Sequence, residues 1–308
     1  MREARLLLAY TAIGAMALAA PRSKLAAGAL KASVGLDVED ALAVRVGADG
    51  HGGNGIYAAR DLVRGEEIAR LPLSRILGAD AACEALGARA AAFLEAAERS
   101  GGVKDARKIL VAAALARAYA TEDANFSKWR AHARTLPWGD GDPARDSLAD
   151  HPALVATAGG PPADDQLAKV VADLQGCAER VAILADCEAG VARRAVLLVL
   201  TRAFDLTHLR DDLDVALVPF ADLFNHPSVA AMRAQPAMLE VPIVDAMVQS
   251  TKDGEDFVVR APRGVDVGVG EQIFNWYANA GFGVTESVEA RRAAENAFLY
   301  QYGFSPWS

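Results

Sequence analysis

Cysteine is scarce in this chain of 308 residues, and the few cysteines present show no paired spacing. Cys83, Cys177 and Cys187 are odd in number and form no Cys-x-x-Cys motif. A disulfide framework needs an even set of cysteines, and a structural zinc site usually shows paired ligand spacings. The sequence therefore predicts buried free thiols, and it predicts neither a disulfide framework nor a metal site.

An excess of positive charge is also lacking. The formal net charge is -8, because 32 Lys and Arg residues face 40 Asp and Glu residues. A nucleic-acid-binding surface needs a basic footprint to neutralise phosphates, so this balance argues against a nucleic-acid partner. Basic or lysine-presenting protein partners fit better, although an acidic balance that only maintains solubility fits the charge equally well.

Long apolar runs are confined to the N-terminus, although apolar residues make up 52% of the chain and exclude a disordered protein. Residues 6–20 form an apolar run behind Arg2 and Arg5 that is too short for a comfortable membrane span. The chain then stays basic and free of acidic residues up to residue 36. This order resembles a bipartite plastid-targeting leader at residues 1–36. The alternatives are a signal for the secretory pathway, a membrane-proximal anchor and a disordered Ala-rich extension.

Two short units share one design. In each, a strand-like run is followed by a glycine-containing turn, and the second strand-like run begins with the pattern Gly-Glu-x-Ile. The first unit has runs at 56–59 and 67–71 around Arg64-Gly65, and the second has runs at 257–261 and 272–277 around a Gly-rich turn. We expect each unit to resemble a hairpin. Nothing else matches at this period, so the recurrence indicates repeated turn chemistry and not a tandem repeat.

Helical periodicity dominates the sequence between these units. Apolar residues recur at three- and four-residue spacings, with Ala as filler, over residues 79–98, 105–120, 165–185 and 188–209. Breakers at 139–143 and 159–162 predict loops. The periodicity alone indicates a helical bundle.

Several segments, taken in order, resemble the SET-domain protein methyltransferases. They are Gly52 to Pro72, Ala221-Asp-Leu-Phe-Asn-His226, Gly268 to Tyr277 and Asn296-Ala-Phe-Leu-Tyr-Gln-Tyr-Gly-Phe304. Thr201-Arg-Ala-Phe204, together with Trp129 through Leu136-Pro137, resembles the branch that methylates the Rubisco large subunit. The resemblance covers about residues 42–304.

The resemblance implies an α+β SET fold with small β-sheets and a threaded C-terminal segment. It places a SET domain at 37–308 with a large helical insertion at about 79–209. In the family a helical substrate-binding domain usually follows the Tyr-Gly-Phe motif. We expect that domain to be lacking here, because the sequence continues for only four residues after Phe304.

The resemblance further implies that S-adenosyl-L-methionine donates a methyl group to a lysine side chain on a protein. Such an in-line displacement mainly requires alignment of donor and acceptor, so acid and base groups are optional. By position, the cofactor-binding residues are Gly52, Gly53, Asn54, Asn225 and His226. Pro227 departs from the small polar residue common in the family and removes one backbone donor.

The acceptor side carries over in the same way. Tyr277 matches the active-site tyrosine that orients the lysine nitrogen, while Tyr302 and Phe304 correspond to the aromatic walls of the lysine channel. Arg202 and Asp222 match positions near the substrate lysine, and a purely structural ion pair is the equally weighted alternative. The long stretch 278–295, where relatives have a short link, is the largest departure.

The implied partner is therefore a protein that presents a lysine, and a plastid protein if the leader is a plastid signal. Two other functions stay open. The same fold acts on histidine in some relatives. A catalytically inactive SET-fold binding module is the other alternative, which Pro227 and the long stretch 278–295 favour and the retained motif residues oppose.

Overall fold

The computed structural model describes residues 42–46, 54–139, 151–157, 162, 164–227, 229–275, 277, 295–296 and 298–302. The helices are α1 Ala79–Leu86, α2 Ala88–Ser100, α3 Val103–Ala120, α4 Ser127–Ala133, α5 Pro152–Thr157, α6 Asp165–Ala185, α7 Ala189–Arg202 and α8 Val229–Ala234. The strands are β1 Leu42–Val46, β2 Asn54–Ala58, β3 Glu67–Pro72, β4 Leu77–Gly78, β5 Ala216–Leu217, β6 Gln249–Asp253, β7 Asp256–Arg260 and β8 Gln272–Ile273. Helices segregated from small antiparallel sheets confirm the predicted α+β class.

Helix α3 is the centre of the helical layer. Residues 109–116 are all buried, and a helix that is apolar on every side must be surrounded by other elements. Its neighbours are α1, α2, α4, α6 and α7. Because most of its buried residues are alanines, neighbouring helices can approach closely and build one continuous helical core.

The helix boundaries differ from the periodicity in two places. The predicted helix at 79–98 is split by Gly87, whose φ of 77° suits glycine and ends α1. The predicted helix at 188–209 ends at Arg202, because Phe204 leaves the helix to exchange backbone hydrogen bonds with Ala216. The prediction for 165–185 matches α6.

The hairpin predictions for the two Gly-Glu units are wrong. Strand β2 pairs with β1 and β8, while β3 pairs with β7, so neither unit folds back on itself. Instead the two units dock on each other, with a bridge between Leu62 and Val267 joining their turns. Strands β6 and β7 do form a hairpin, which turns at Gly254 with φ 60°.

The recurrence of turn chemistry is confirmed. In the first turn the Glu66 carboxylate accepts the N–H of Val63 at 2.8 Å, and in the second Glu271 accepts the N–H of Gly268 at 2.7 Å. A glycine with positive φ precedes each glutamate. Each glutamate therefore satisfies a turn amide three residues earlier.

The cysteines differ slightly from expectation. Cys83, Cys177 and Cys187 are free, but they are half-buried and not fully buried. Burial is the main cause that raises the pKa of each thiol, so thiolate formation is disfavoured at neutral pH. Within the described ranges no cluster of three or more His, Cys, Asp or Glu side chains suits a metal ion. No helix in those ranges is both long and apolar enough to cross a membrane.

Candidate active site

Asn225 and His226 lie in the segment that follows β5 and leads toward the sheets. Phe220 adopts φ 76°, an uncommon conformation for a residue with a side chain, and a short 3-10 turn follows at Ala221–Leu223. Asn225 then accepts the N–H of Asn275 through its backbone carbonyl at 2.9 Å. The pair is thereby fixed beside the end of β8.

The side chain of Asn225 lies next to Gly55 on β2. A Cβ atom at Gly55 would come within 2.7 Å of Gln272 Nε2, 3.1 Å of the Tyr57 ring and 3.3 Å of Asn225 Nδ2. Gln272 accepts the Tyr57 hydroxyl at 3.2 Å, while its buried Nε2 has no hydrogen-bond partner in the described part of the chain. Two amide groups therefore approach the backbone at a position where only glycine leaves room.

We expect Gly55→Ala to lower thermal stability, because overpacking at such a contact costs about 1–3 kcal/mol. Gly190→Ala is the matched control, since a Cβ at Gly190 in α7 meets no atom within 4 Å. The control should be as stable as the wild type or more stable. Equal melting temperatures for the two variants would show that the amide cluster tolerates a side chain at Gly55.

The sequence assigns Gly52, Gly53 and Asn54 to the donor side as well. Gly52 and Gly53 lie outside the described residues. Asn54 begins β2, where it is opposite Val46 of β1. Asn54 is thus the residue directly before Gly55, which lies next to the side chain of Asn225.

His226 connects this side of the site to Tyr277. Its ring is 4% exposed, and its Nδ1 accepts the backbone N–H of Tyr277 at 3.2 Å. Burial lowers the pKa of His226 to about 3, so the ring is neutral at pH 7. Since Nδ1 accepts a hydrogen bond, Nε2 carries the proton.

Tyr277 lies in an aromatic cluster on its other side. Its ring is 4.8 Å from Tyr302 and 5.3 Å from His226, and its hydroxyl donates a long bond of 3.4 Å to the Phe224 carbonyl. Phe298 completes the cluster at 4.6 Å from Tyr302. The sequence motifs do not assign Phe298 to the site, although its four-residue spacing from Tyr302 is the signal for a shared helical face.

Arg202 and Asp222 form the ion pair that one of the two interpretations predicts. Arg202 Nη1 lies 3.3 Å from Asp222 Oδ2 and 3.2 Å from its backbone oxygen. His132, which the sequence did not single out, places Nε2 3.4 Å from the other carboxylate oxygen. Burial raises the pKa of the Asp222 carboxyl, but His132 and Arg202 outweigh it, so the pKa falls below its usual value.

A cavity of about 940 Å³ opens beside this cluster. Its wall includes Tyr277, Tyr302, Arg202 and Asp222, and it extends between α3 and α6. The ion pair and a place in the cavity wall are therefore compatible. Phe304 lies outside the described residues.

The predicted site residues thus fall on two sides that meet at Tyr277. Asn225 and His226 belong to the β2 side, and among the described residues they do not line the cavity. Tyr277 contacts His226 through its backbone and faces the cavity with its ring.

No protein-family model matches the chain, and no curated protein matches its sequence. Solved structures do match. The SET domain of LSMT bound to lysine and AdoHcy superposes with a TM-score of 0.56 at 17% identity, covering 93% of this chain. The chain has the fold of a SET domain.

Two further structures support the SET fold. Rubisco LSMT bound to AdoMet gives a TM-score of 0.54 at 18% identity over 92% of this chain. Rubisco LSMT bound to sinefungin and monomethyllysine gives 0.53 at 18% identity over 90%. The chain spans a little over half of these solved chains, with 57%, 56% and 54% covered.

The SET fold explains why segments far apart in sequence converge. Strands β2 and β8 pair, and the segment between them returns the Asn-His pair to their edge. The sequence resemblance predicted this fold from the same motifs.

We expect stability to fall in mild acid because two buried histidines resist protonation. Burial lowers the pKa of His226 to about 3 and that of His151 to about 4. The unfolded chain binds protons near pH 6.5 while the folded protein does not, so stability is lost as the pH falls below 6.5. At pH 5 the loss is about 2 kcal/mol per histidine.

Denaturant unfolding at pH 7 and pH 5 measures this loss. His226→Gln and His151→Gln should each reduce the difference between the two pH values, whereas the exposed His208→Gln should leave it unchanged. A double variant that loses as much stability in acid as the wild type would assign the effect to other groups.

Proposed function

We propose that this protein transfers a methyl group from S-adenosylmethionine to a lysine side chain of a protein substrate. The observation that carries the proposal is the position of Tyr277 between the amide-lined β2 side and the aromatic cavity. Solved SET structures bound to AdoMet and to lysine support the same assignment of donor and acceptor.

The β2 side fits a polar donor molecule. Gln272 supplies a buried N–H donor that has no partner within the described ranges, and Gly55 allows close approach to the backbone. Gly52, Gly53, Asn54, Asn225 and His226 would hold the donor there. When bound, S-adenosylmethionine supplies the electrophilic methyl group.

The cavity side fits an amine acceptor. A lysine must lose its ammonium proton before attack, and an apolar aromatic wall disfavours the charged form. Burial raises the pKa of the Tyr302 phenol, which therefore remains protonated at neutral pH. The Tyr277 hydroxyl can then orient the neutral nitrogen toward the donor side, while the aromatic walls exclude water.

A plastid location and a plastid substrate are part of the proposal. They rest on the apolar run and the acid-free basic stretch within residues 1–36. A fluorescent fusion of these residues should enter plastids, and a secretory distribution of the fusion would contradict this part.

The direct test is incubation with isotope-labelled donor and an unmethylated plastid extract, followed by mass spectrometry of labelled peptides. Label on lysine supports the proposal. Label on histidine would overturn the acceptor assignment, and tight donor binding without transfer would identify a binding module.

We expect Asn225→Ala to weaken donor binding by more than about tenfold, because the loss of one hydrogen-bond partner from this half-buried amide cluster costs about 1–3 kcal/mol. Asn125→Ala is the control, since Asn125 is exposed at the short 3-10 turn before α4. Titration calorimetry measures both affinities. Wild-type affinity in a folded Asn225→Ala variant would place the donor elsewhere.

A further inference from the structure

The helical turn at residues 298–302 has two different faces. Phe298 and Tyr302, four residues apart, contact each other at 4.6 Å and contribute to the aromatic cluster around Tyr277. Leu299 and Tyr300 instead pack against the helical core. The wall of the proposed acceptor channel is therefore attached directly to the helical layer.

Tyr300 makes the specific contact on the second face. The residue is 5% exposed, and its hydroxyl donates to Asp164 Oδ2 at 2.5 Å. Asp164 is also the N-cap of α6, where its Oδ1 accepts the N–H of Leu167 at 2.8 Å. One carboxylate oxygen thus caps a helix while the other holds the turn that carries Phe298 and Tyr302.

A second link supports the same turn. His151 Nε2 lies 3.4 Å from the Gln301 carbonyl, and its Nδ1 accepts the N–H of Ala153 at 3.2 Å. Because Nδ1 accepts, Nε2 carries the proton and points as a donor at Gln301. Helices α5 and α6 therefore both hold the turn at their N-terminal ends.

We propose that Tyr300 and Asp164 form a latch through which the N-terminus of α6 positions Phe298 and Tyr302 in the acceptor channel. Both are positioning residues that act on acceptor affinity and on the number of methyl groups added. A helical turn moves as a unit, so a shift of Tyr300 displaces the side chains two residues before and after it. The inference deepens the proposed function and rests on it.

The hydrogen bond between Tyr300 and Asp164 that forms the latch is retained over a wide pH range. The Tyr300 hydroxyl and the Leu167 amide lower the pKa of Asp164, and the Asp164 carboxylate raises the pKa of Tyr300 to about 12. Its stabilising contribution is lost as the pH falls through the lowered pKa of Asp164. It is also lost as the pH rises through about 12. Assays near neutral pH therefore test the closed latch.

The test compares Tyr300→Phe, Asp164→Ser and the double variant. Phenylalanine keeps the buried ring, and serine remains a favourable N-cap without a second carboxylate oxygen. Each single variant should raise the KM for the lysine acceptor about five- to tenfold and alter the ratio of mono-, di- and trimethyllysine. Donor affinity should stay within about twofold, and the double variant should be no worse than either single variant.

Tyr119→Phe is the control, because Tyr119 stacks on Trp138 at 4.1 Å in the helical layer. A lower melting temperature in Tyr300→Phe with unchanged KM and unchanged product ratio would overturn the latch. Effects that add in the double variant would also overturn it, since they would show independent roles.

Amide exchange separates this inference from the proposed function. Tyr300→Phe should accelerate exchange at residues 299–302, and Tyr119→Phe should not. If the wild type transfers no methyl group to lysine, the proposed function is overturned, while accelerated exchange still supports the latch. Unchanged exchange in Tyr300→Phe overturns the latch whatever the activity.

Discussion

Tyr277→Phe should lower the turnover of methyl transfer by about 100-fold or more while donor affinity stays at the wild-type value. Only the phenol oxygen is removed, and the ring still packs between His226 and Tyr302 at 5.3 and 4.8 Å. The backbone N–H that binds His226 also remains. The loss should therefore appear in kcat, because in the proposed function the oxygen aligns the acceptor nitrogen.

Tyr119→Phe serves as the matched control, because it removes a phenol oxygen from the helical layer and should retain full turnover. Single-turnover kinetics with labelled donor, together with calorimetry of donor binding, separates chemistry from binding. Wild-type turnover in Tyr277→Phe would remove the hydroxyl from the mechanism. A loss of donor affinity in Tyr277→Phe would instead indicate that the donor itself binds at Tyr277.

The second large effect is on stability. Asp222→Ala should lower the free energy of unfolding by about 3–5 kcal/mol, because it leaves the charge of Arg202 buried without its carboxylate. The side chains of Asp222 and Arg202 are 2% and 17% exposed. Asp222→Asn keeps the shape and removes only the charge, so it separates electrostatics from the cavity that alanine creates.

The control is Asp253→Ala, which removes a carboxylate that lies 2.8 Å from Arg70 and is 62% exposed. Exposed ion pairs contribute about 0–1 kcal/mol, so this variant should unfold close to the wild type. Chemical denaturation provides both values. Equal small losses for Asp222→Ala and Asp253→Ala would mean that the buried pair contributes no more than an exposed one.

Local features of the fold could be predicted from the sequence, and strand partners could not. The bounds of α6 follow from apolar spacing and from Asp164 as its cap. The turn chemistry of Glu66 and Glu271 follows from the repeated Gly-Glu. The pairing of β2 with β8 joins residues more than 200 positions apart, and no local pattern encodes it. The predicted hairpins were wrong for this reason.

The site shows the same division. Asn225, His226 and Tyr277 could be named because their motifs resemble a known family, and the structure brings them together. His132 and Gln272 could not be named, because each is a single polar side chain whose role depends on a partner distant in sequence. Phe298 could have been found from its spacing to Tyr302.

A crystal structure of the protein with S-adenosylhomocysteine and lysine bound would locate both ligands directly. We expect the donor product on the β2 side, against Gly55, Asn225 and His226, and the lysine amine within hydrogen-bond distance of the Tyr277 hydroxyl. Donor product bound instead in the cavity between α3 and α6, with no amine at Tyr277, would contradict it.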